Sequence, residues 1–296
     1  MPEGRIVKAL SGFYYVADGD RVYFCRARGL FKKKGAKITP LVGDWVVYDP
    51  TNGEEGYVME VGERTSELVR PPIANVDQAV LVFSMYKPMF SSLLLDKFLV
   101  HTERAGIDSV IVLSKADQAE EEEVAQIVKK YEAIGYTVIP TSTVQERGIS
   151  EVRELLRERI SVFAGQSGVG KSSLINRLFP GVSLQTGDVS EKLGRGKHTT
   201  RHVELIPLEG GGYVADTPGF SSLEFSDMNE LDLAESFRDF ASLSHACKFR
   251  GCLHISEPSC AVREALEAGE LSAERYEHYK QFREELKEYQ RRNKPW

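Results

Sequence analysis

Gly165-Gln166-Ser167-Gly168-Val169-Gly170-Lys171-Ser172 fits the pattern G-x-x-x-x-G-K-[ST]. The apolar run Val162-Phe163-Ala164 precedes it, and the stretch that follows, Ser173-Leu174-Ile175-Asn176-Arg177-Leu178, has helical spacing. Strand, glycine loop and helix in that order predict an α/β sheet with a phosphate cradle at a strand end. Glycines let successive backbone N–H groups curl around an anion, and the helix N-terminus adds the positive end of its dipole. The expected binding segment comprises Gly165, Gln166, Ser167, Gly168, Val169, Gly170, Lys171, Ser172 and Ser173. Within it, Lys171 is expected to reach the β- and γ-phosphates and the Ser172 hydroxyl to ligate Mg2+.

That loop alone does not separate GTP from ATP. Downstream, Tyr213-Val214-Ala215 runs into Asp216-Thr217-Pro218-Gly219. A carboxylate at a strand end, Asp216, is suited to hold Mg2+ through water, and the Gly219 N–H to meet the γ-phosphate. Between these motifs lies a polar stretch, 186–201, ending Gly196-Lys197-His198-Thr199-Thr200-Arg201. Thr200 or its neighbour Thr199 is placed to cap Mg2+ in a segment that orders on the triphosphate; the composition equally suits a plain surface loop. Upstream, Ser114-Lys115-Ala116-Asp117 closes the apolar run 109–113. A carboxylate at Asp117 accepts hydrogen bonds from guanine's ring N–H and exocyclic amine, a donor pair adenine lacks. Thr141-Ser142-Thr143, after a strand ending at Ile139, fits a small loop supporting the base.

Around this centre the chain divides into three kinds of pattern. From Arg5 to about Glu67 it reads as short alternating strands, among them 12–16, 21–26, 44–48 and 56–61, punctuated by Gly, Asp and Asn. This predicts a small barrel over 1–68, of OB type by strand count, with an SH3-like barrel as the alternative. After Arg70-Pro71-Pro72, strands at 78–85, 109–113, 136–139, 162–164, 203–206 and 213–215 alternate with helices at 93–106 and 119–134, giving an α/β domain over 69–225. From about Ser226 the strands stop. A helix is expected over 273–292, with Tyr276, Tyr279, Phe282, Leu286 and Tyr289 as a stripe packed in the core of a helical domain over 226–296.

That last region holds Cys247-x4-Cys252-x-His254-x5-Cys260. Three thiols and one imidazole so close together, in a reducing compartment, favour one tetrahedral Zn2+ over disulfides. Four protein ligands fill the shell, so the zinc is expected to be structural. Cys25 stands apart and reads as a small buried hydrophobe.

The 296-residue chain carries a net charge of −6. That excludes wholesale coating of nucleic acid, but seven Lys or Arg and no acid fall between Arg21 and Pro40: Arg21, Arg26, Arg28, Lys32, Lys33, Lys34 and Lys37. They are either a solvated loop or an electrostatic contact. No apolar run reaches the ~18 residues of a membrane span, and the start lacks a secretory h-region, so a cytoplasmic protein with no membrane partner is expected.

The motifs match those of translation-factor-type GTPases in a rotated order: base motif, base loop, P-loop, switch threonines, Asp-Thr-Pro-Gly. With the small barrel before them and the Cys/His cluster after, the chain resembles the ribosome small-subunit-dependent GTPase A family of circularly permuted GTPases. The resemblance implies a GTP-hydrolysing protein that assists late maturation of the small ribosomal subunit and contacts its rRNA. A monomer is expected. Ser114 stands where such enzymes usually carry Asn, so specificity is expected to lean more on Asp117. Phe220 stands where Ras-type enzymes carry a water-orienting Gln, so intrinsic hydrolysis is expected to be slow and accelerated by a bound partner. The competing classes are a P-loop ATPase or kinase and a non-hydrolysing RNA-binding switch. The chain leaves the switch at Gly219 directly for the zinc region, which suggests a relay through 220–227.

Overall fold

A computed structural model describes residues 1–27, 38–51, 55–68, 72–179, 203–216, 223–225 and 228–293. Thr200, Thr217, Pro218, Gly219, Phe220 and the cations from Arg28 to Lys37 lie outside the described residues.

Alternation of apolar and polar side chains builds the first five strands: β1 (Glu3–Leu10), β2 (Phe13–Asp18), β3 (Arg21–Ala27), β4 (Trp45–Asp49) and β5 (Glu55–Val61). Ile6, Val16, Cys25, Val46, Tyr48 and Val58 point inward and are buried, Cys25 as expected of a lone hydrophobe. Ser11 and Gly12, at φ 51° and 84°, make the tight turn from β1 to β2. Pairing runs β1–β2–β3–β5–β4 and closes through β4–β1, with β3 and β5 parallel. That parallel closure is the OB-type arrangement and sets aside the all-antiparallel SH3-like alternative. Arg64 braces the barrel's exit: its Nε and Nη2 each lie 2.8 Å from the buried Asp44 carboxylate.

After a two-residue pairing of β6 (Glu67–Leu68) with β7 (Ile73–Ala74), the chain enters a second set of strands: β8 (Gln78–Ser84), β9 (Asp108–Ser114), β10 (Thr137–Pro140), β11 (Ile160–Ala164), β12 (Glu204–Pro207) and β13 (Tyr213–Asp216). Their order is β10-β9-β8-β11-β13-β12, parallel except for β12. Every residue of β8 is buried, as a strand covered on both faces requires. One face packs on α1 (Ser92–Arg104) and α2 (Glu121–Glu132), the other on α3 (Ile149–Leu155) and α4 (Lys171–Leu178). β12 also meets β1, where Lys8 pairs with Glu204 at 2.7 Å, so barrel and α/β strands form one eleven-stranded sheet.

The C-terminal part is helical: α5 (Glu230–Glu235), α6 (Arg238–Ser244), α7 (Ala261–Glu267) and α8 (Ala273–Arg292). Asn229 and Asp232 form a capping box for α5, and Ser272 caps α8. Tyr276, Tyr279, Phe282 and Leu286 are buried as the stripe predicts, while Tyr289 is only half-buried. The helices α3, α5, α6 and α7 have no counterpart in the sequence reading, being too short for a periodic signal to rise above the loops around them. Among the described residues no helix is long and apolar enough to cross a membrane.

Candidate nucleotide site and metal centre

Because β8, β9, β10, β11 and β13 run parallel, their carboxyl ends share one edge of the sheet, the usual place for a ligand crevice in such folds. The glycine loop leaves β11 at Gly165, where φ is 142° and an added Cβ would lie 2.1 Å from the Val82 carbonyl oxygen. Only glycine fits so close to β8. Gly168 and Gly170 also have positive φ, 79° and 93°. Between them Val169 turns inward and is 1% exposed, anchoring the loop in the same apolar cluster as Leu174 and Ile175 of α4. Gln166, Ser167 and Gly168 are exposed above it, and Ser172 and Ser173 stand in the first turn of α4. Lys171 Nζ donates to the carbonyls of Gly165 at 2.6 Å and Gln166 at 2.7 Å, and burial lowers its pKa.

The base motif stands at the end of β9, beside this loop. Ser114 Oγ donates to the Val169 carbonyl at 2.5 Å. Lys115, in a left-handed conformation with φ 54°, sends its ammonium to the carbonyls of Tyr86, Lys87 and Gly168 at 3.1, 2.6 and 2.9 Å. The Ala116 N–H donates to the Thr141 carbonyl at 3.0 Å, and the Thr141 N–H to that of Leu113 at 2.7 Å. Asp117, half-buried, sits in the 3-10 turn Ala116–Gln118. Base motif, base loop and phosphate loop thus touch one another although more than fifty positions separate Ser114 from Val169. Asp216 ends β13 on the same edge, its backbone registered with Glu204; its side chain lies outside the described residues.

Of the stretch 220–227, residues 223–225 are described. Phe225 is buried between α1 and α8: His101 stacks on it at 5.3 Å, Phe282 lies 5.5 Å away and the Lys97 ammonium 4.9 Å over its ring.

Cys247, Cys252, His254 and Cys260 come together with all ligand atoms within 4.8 Å of one another. The sulfurs of Cys247 and Cys260 are 3.9 Å apart, close to the ~3.8 Å edge of a tetrahedron with Zn–S bonds of about 2.3 Å. His254 Nδ1 lies 3.3 Å from Cys260 Sγ and 3.7 Å from Cys247 Sγ. Burial raises the thiol pKa of Cys252 and Cys260 and lowers that of His254, so the isolated cluster favours neutral groups; a cation supplies the charge that deprotonates the thiols. The four donors therefore fit one metal ion.

Three supports of this centre were not anticipated from sequence. Glu257 accepts from the backbone N–H groups of Leu253, Ile255 and Ser256 at 2.9, 2.8 and 3.0 Å. Burial opposes its ionisation, but these hydrogen bonds outweigh it and hold the carboxyl down at about 2. Tyr276 and Tyr279 donate their hydroxyls to the carbonyls of His254 and Leu253 at 2.7 and 2.6 Å. The two tyrosines were legible as core, but their polar tips were not. Glu257 lies inside the ligand loop, which is the one sequence signal it carries.

Residues 61–226 match the family described as RsgA GTPase, and residues 3–58 match the RsgA N-terminal domain. The chain belongs to the RsgA GTPase family. A relative named small ribosomal subunit biogenesis GTPase RsgA, from Geobacillus kaustophilus, is 58% identical over 97% of this chain and 98% of its own length. The Bacillus subtilis protein of the same name is 54% identical, with the same coverage of each. Among solved structures, YloQ, described as a circularly permuted GTPase, superposes with a TM-score of 0.82 at 47% identity, covering 100% of this chain and 97% of that one. YjeQ from Thermotoga maritima gives 0.83 at 35% identity, covering 96% and 98%. Residues 160–295 also match a family described as 50S ribosome-binding GTPase. That match starts at β11, the strand leading into the glycine loop, and leaves the earlier base motif outside it. As a member of the family, this chain is a circularly permuted GTPase.

Proposed function

We propose that the chain binds GTP with Mg2+ on the small ribosomal subunit during its late maturation and hydrolyses it to GDP and phosphate, faster when the subunit is bound. The observation that carries this is the closure of the base motif onto the phosphate loop, through Ser114 to Val169 and Lys115 to Gly168, on the carboxyl edge of a parallel sheet. A carboxylate that selects guanine and an ammonium that attracts phosphates are thereby held in one rigid frame.

In this reading the segment from Gly165 to Ser173 cradles the phosphates, and Lys171 offsets charge on the β- and γ-groups. Ser172 and Asp216 would hold Mg2+, with Thr200 or Thr199 as its cap, and the ion would supply neutralising charge at the phosphates. Gly219 meets the γ-phosphate. Asp117 reads guanine, supported by Ser114, Lys115, Ala116 and the loop at Thr141. Phe220 has no group to orient water, which supports stimulation by the bound subunit. Cys247, Cys252, His254 and Cys260 hold one structural Zn2+. The barrel over 1–68 and the zinc region over 226–296 are the rRNA-contacting arms of the domain over 69–225, in a cytoplasmic monomer. Phe225, wedged between α1 and α8, supports a relay of nucleotide state from Gly219 towards the zinc region. An identical zinc-region orientation in GTP-analogue and GDP structures would refute that relay.

The deciding experiment is GTP turnover by the purified chain alone, with isolated small subunits, and with isolated large subunits. Stimulation specific to small subunits is expected. Equal rates in all three, or stimulation by large subunits alone, would overturn the assignment.

A further inference from the structure

We infer that Ser114 makes this site blind to guanine N7: the base motif gives no hydrogen bond to that atom, and its selectivity rests on the Asp117 carboxylate at the opposite edge of the base. This deepens the proposed GTP reading and rests on it.

Guanine presents N7 as an acceptor, so reading it requires a spare N–H or O–H. A serine hydroxyl has one proton to give. Ser114 Oγ lies 2.5 Å from the Val169 carbonyl oxygen and 3.3 Å from that of Phe83, both acceptors. One proton faces two carbonyls, and the shorter contact takes it. The hydroxyl is also roofed by the phosphate loop. Ser114 is 6% exposed, and a Cβ on Gly170 would sit 4.0 Å from its Oγ.

The neighbouring donors are engaged too. An ammonium has three protons, and that of Lys115 meets three carbonyls, those of Tyr86, Lys87 and Gly168. The Ala116 N–H is held by the Thr141 carbonyl. What the motif extends towards a base is therefore the acceptor at Asp117, which suits guanine's donors and not N7. An asparagine at position 114 would differ in kind. Its amide has two protons, one for a loop carbonyl and one for the base. Serine keeps the bridge to the loop and drops the contact to the ring.

The test is the affinity of the full-length chain, with Mg2+, for GTP, ATP, inosine triphosphate and 7-deaza-GTP, in which a C–H replaces N7. Binding of 7-deaza-GTP is expected within about twofold of GTP, and inosine triphosphate, lacking the exocyclic amine, about tenfold weaker. Ser114→Asn is expected to introduce a preference for GTP over 7-deaza-GTP of about fivefold or more. A wild-type loss of about tenfold on removing N7 would overturn the inference, since some group would then be donating to it. A Ser114→Asn protein that binds GTP and gains no preference would overturn the role given to this position. Equal affinity for ATP and GTP would instead sink the guanine reading itself, an outcome distinct from either.

Discussion

The Arg275 guanidinium grips both carboxylate oxygens of Asp239, Nε at 3.0 Å and Nη2 at 2.9 Å, while its remaining nitrogen pairs with Asp96 of α1. Arg275 is 1% exposed and Asp96 fully buried. The Tyr131 hydroxyl, 3.1 Å from Asp96, and His278 Nδ1, 2.6 Å away, complete the carboxylate's shell. Burial works against the arginine charge, but the two aspartates outweigh it and raise its pKa. A fully satisfied charge cluster thus ties α8 of the C-terminal helical part to α1 and α2 of the GTPase fold.

Removing one member of that cluster strands its partners in the core. Arg275→Ala is expected to destabilise the protein by about 3–5 kcal/mol, whereas the surface pair of Lys8 with Glu204 is worth about 1 kcal/mol or less. Urea unfolding of Arg275→Ala beside Lys8→Ala checks the contrast. Comparable small losses would mean that the buried cluster is dispensable.

Nucleotide binding should separate into a phosphate part and a base part. Lys171→Ala is expected to weaken GTP and ATP alike and to abolish turnover. Asp117→Ala is expected to cost about tenfold or more in GTP affinity and to narrow the gap to ATP. Calorimetric titration of both nucleotides into each variant distinguishes the two; a Lys171→Ala protein that loses only GTP would contradict the division of roles.

Metal removal should act on structure before chemistry. Chelation, or Cys252→Ser, is expected to release one zinc per chain and to lower helical circular dichroism as α6, α7 and α8 lose their common anchor. GTP binding by the separate sheet edge should persist. Full helicity in a zinc-free protein would refute a structural metal.

The basic segment offers a test independent of the fold. Changing Lys32, Lys33 and Lys34 together to Glu is expected to weaken binding to small subunits and flatten its salt dependence, leaving GTP affinity alone. Unchanged subunit binding would remove this segment from the interface.

Legibility followed the range of the interaction. The glycine loop, the base motif and the cysteine cluster could be read because each is a short run whose spacing states its chemistry, and the structure brings their described members together. The barrel was legible from alternation, but its OB-type closure appears only in the parallel pairing of β3 with β5. Ser114 was visible as a departure from asparagine; that its hydroxyl bridges to Val169 depends on the loop after β11 reaching past the end of β8 to β9. Arg275 gave no signal. Beside the stripe of α8 it reads as one more solvated charge, and its partners Asp96 and Asp239 lie far away in sequence. Long-range polar pairs leave no period to detect.

The junction of β1 with β12 bears on how the molecule moves. β12 leads through one hairpin into β13, which ends at Asp216 on the carboxyl edge of the sheet. Pairing at Lys8 and Glu204 sets the barrel on that strand directly, without a tether. A few degrees of tilt in the strand becomes, at the barrel's outer loops, a displacement that grows with distance from the pivot. If that edge holds nucleotide as proposed, the barrel is the pointer of a gauge whose needle is mounted beside the site.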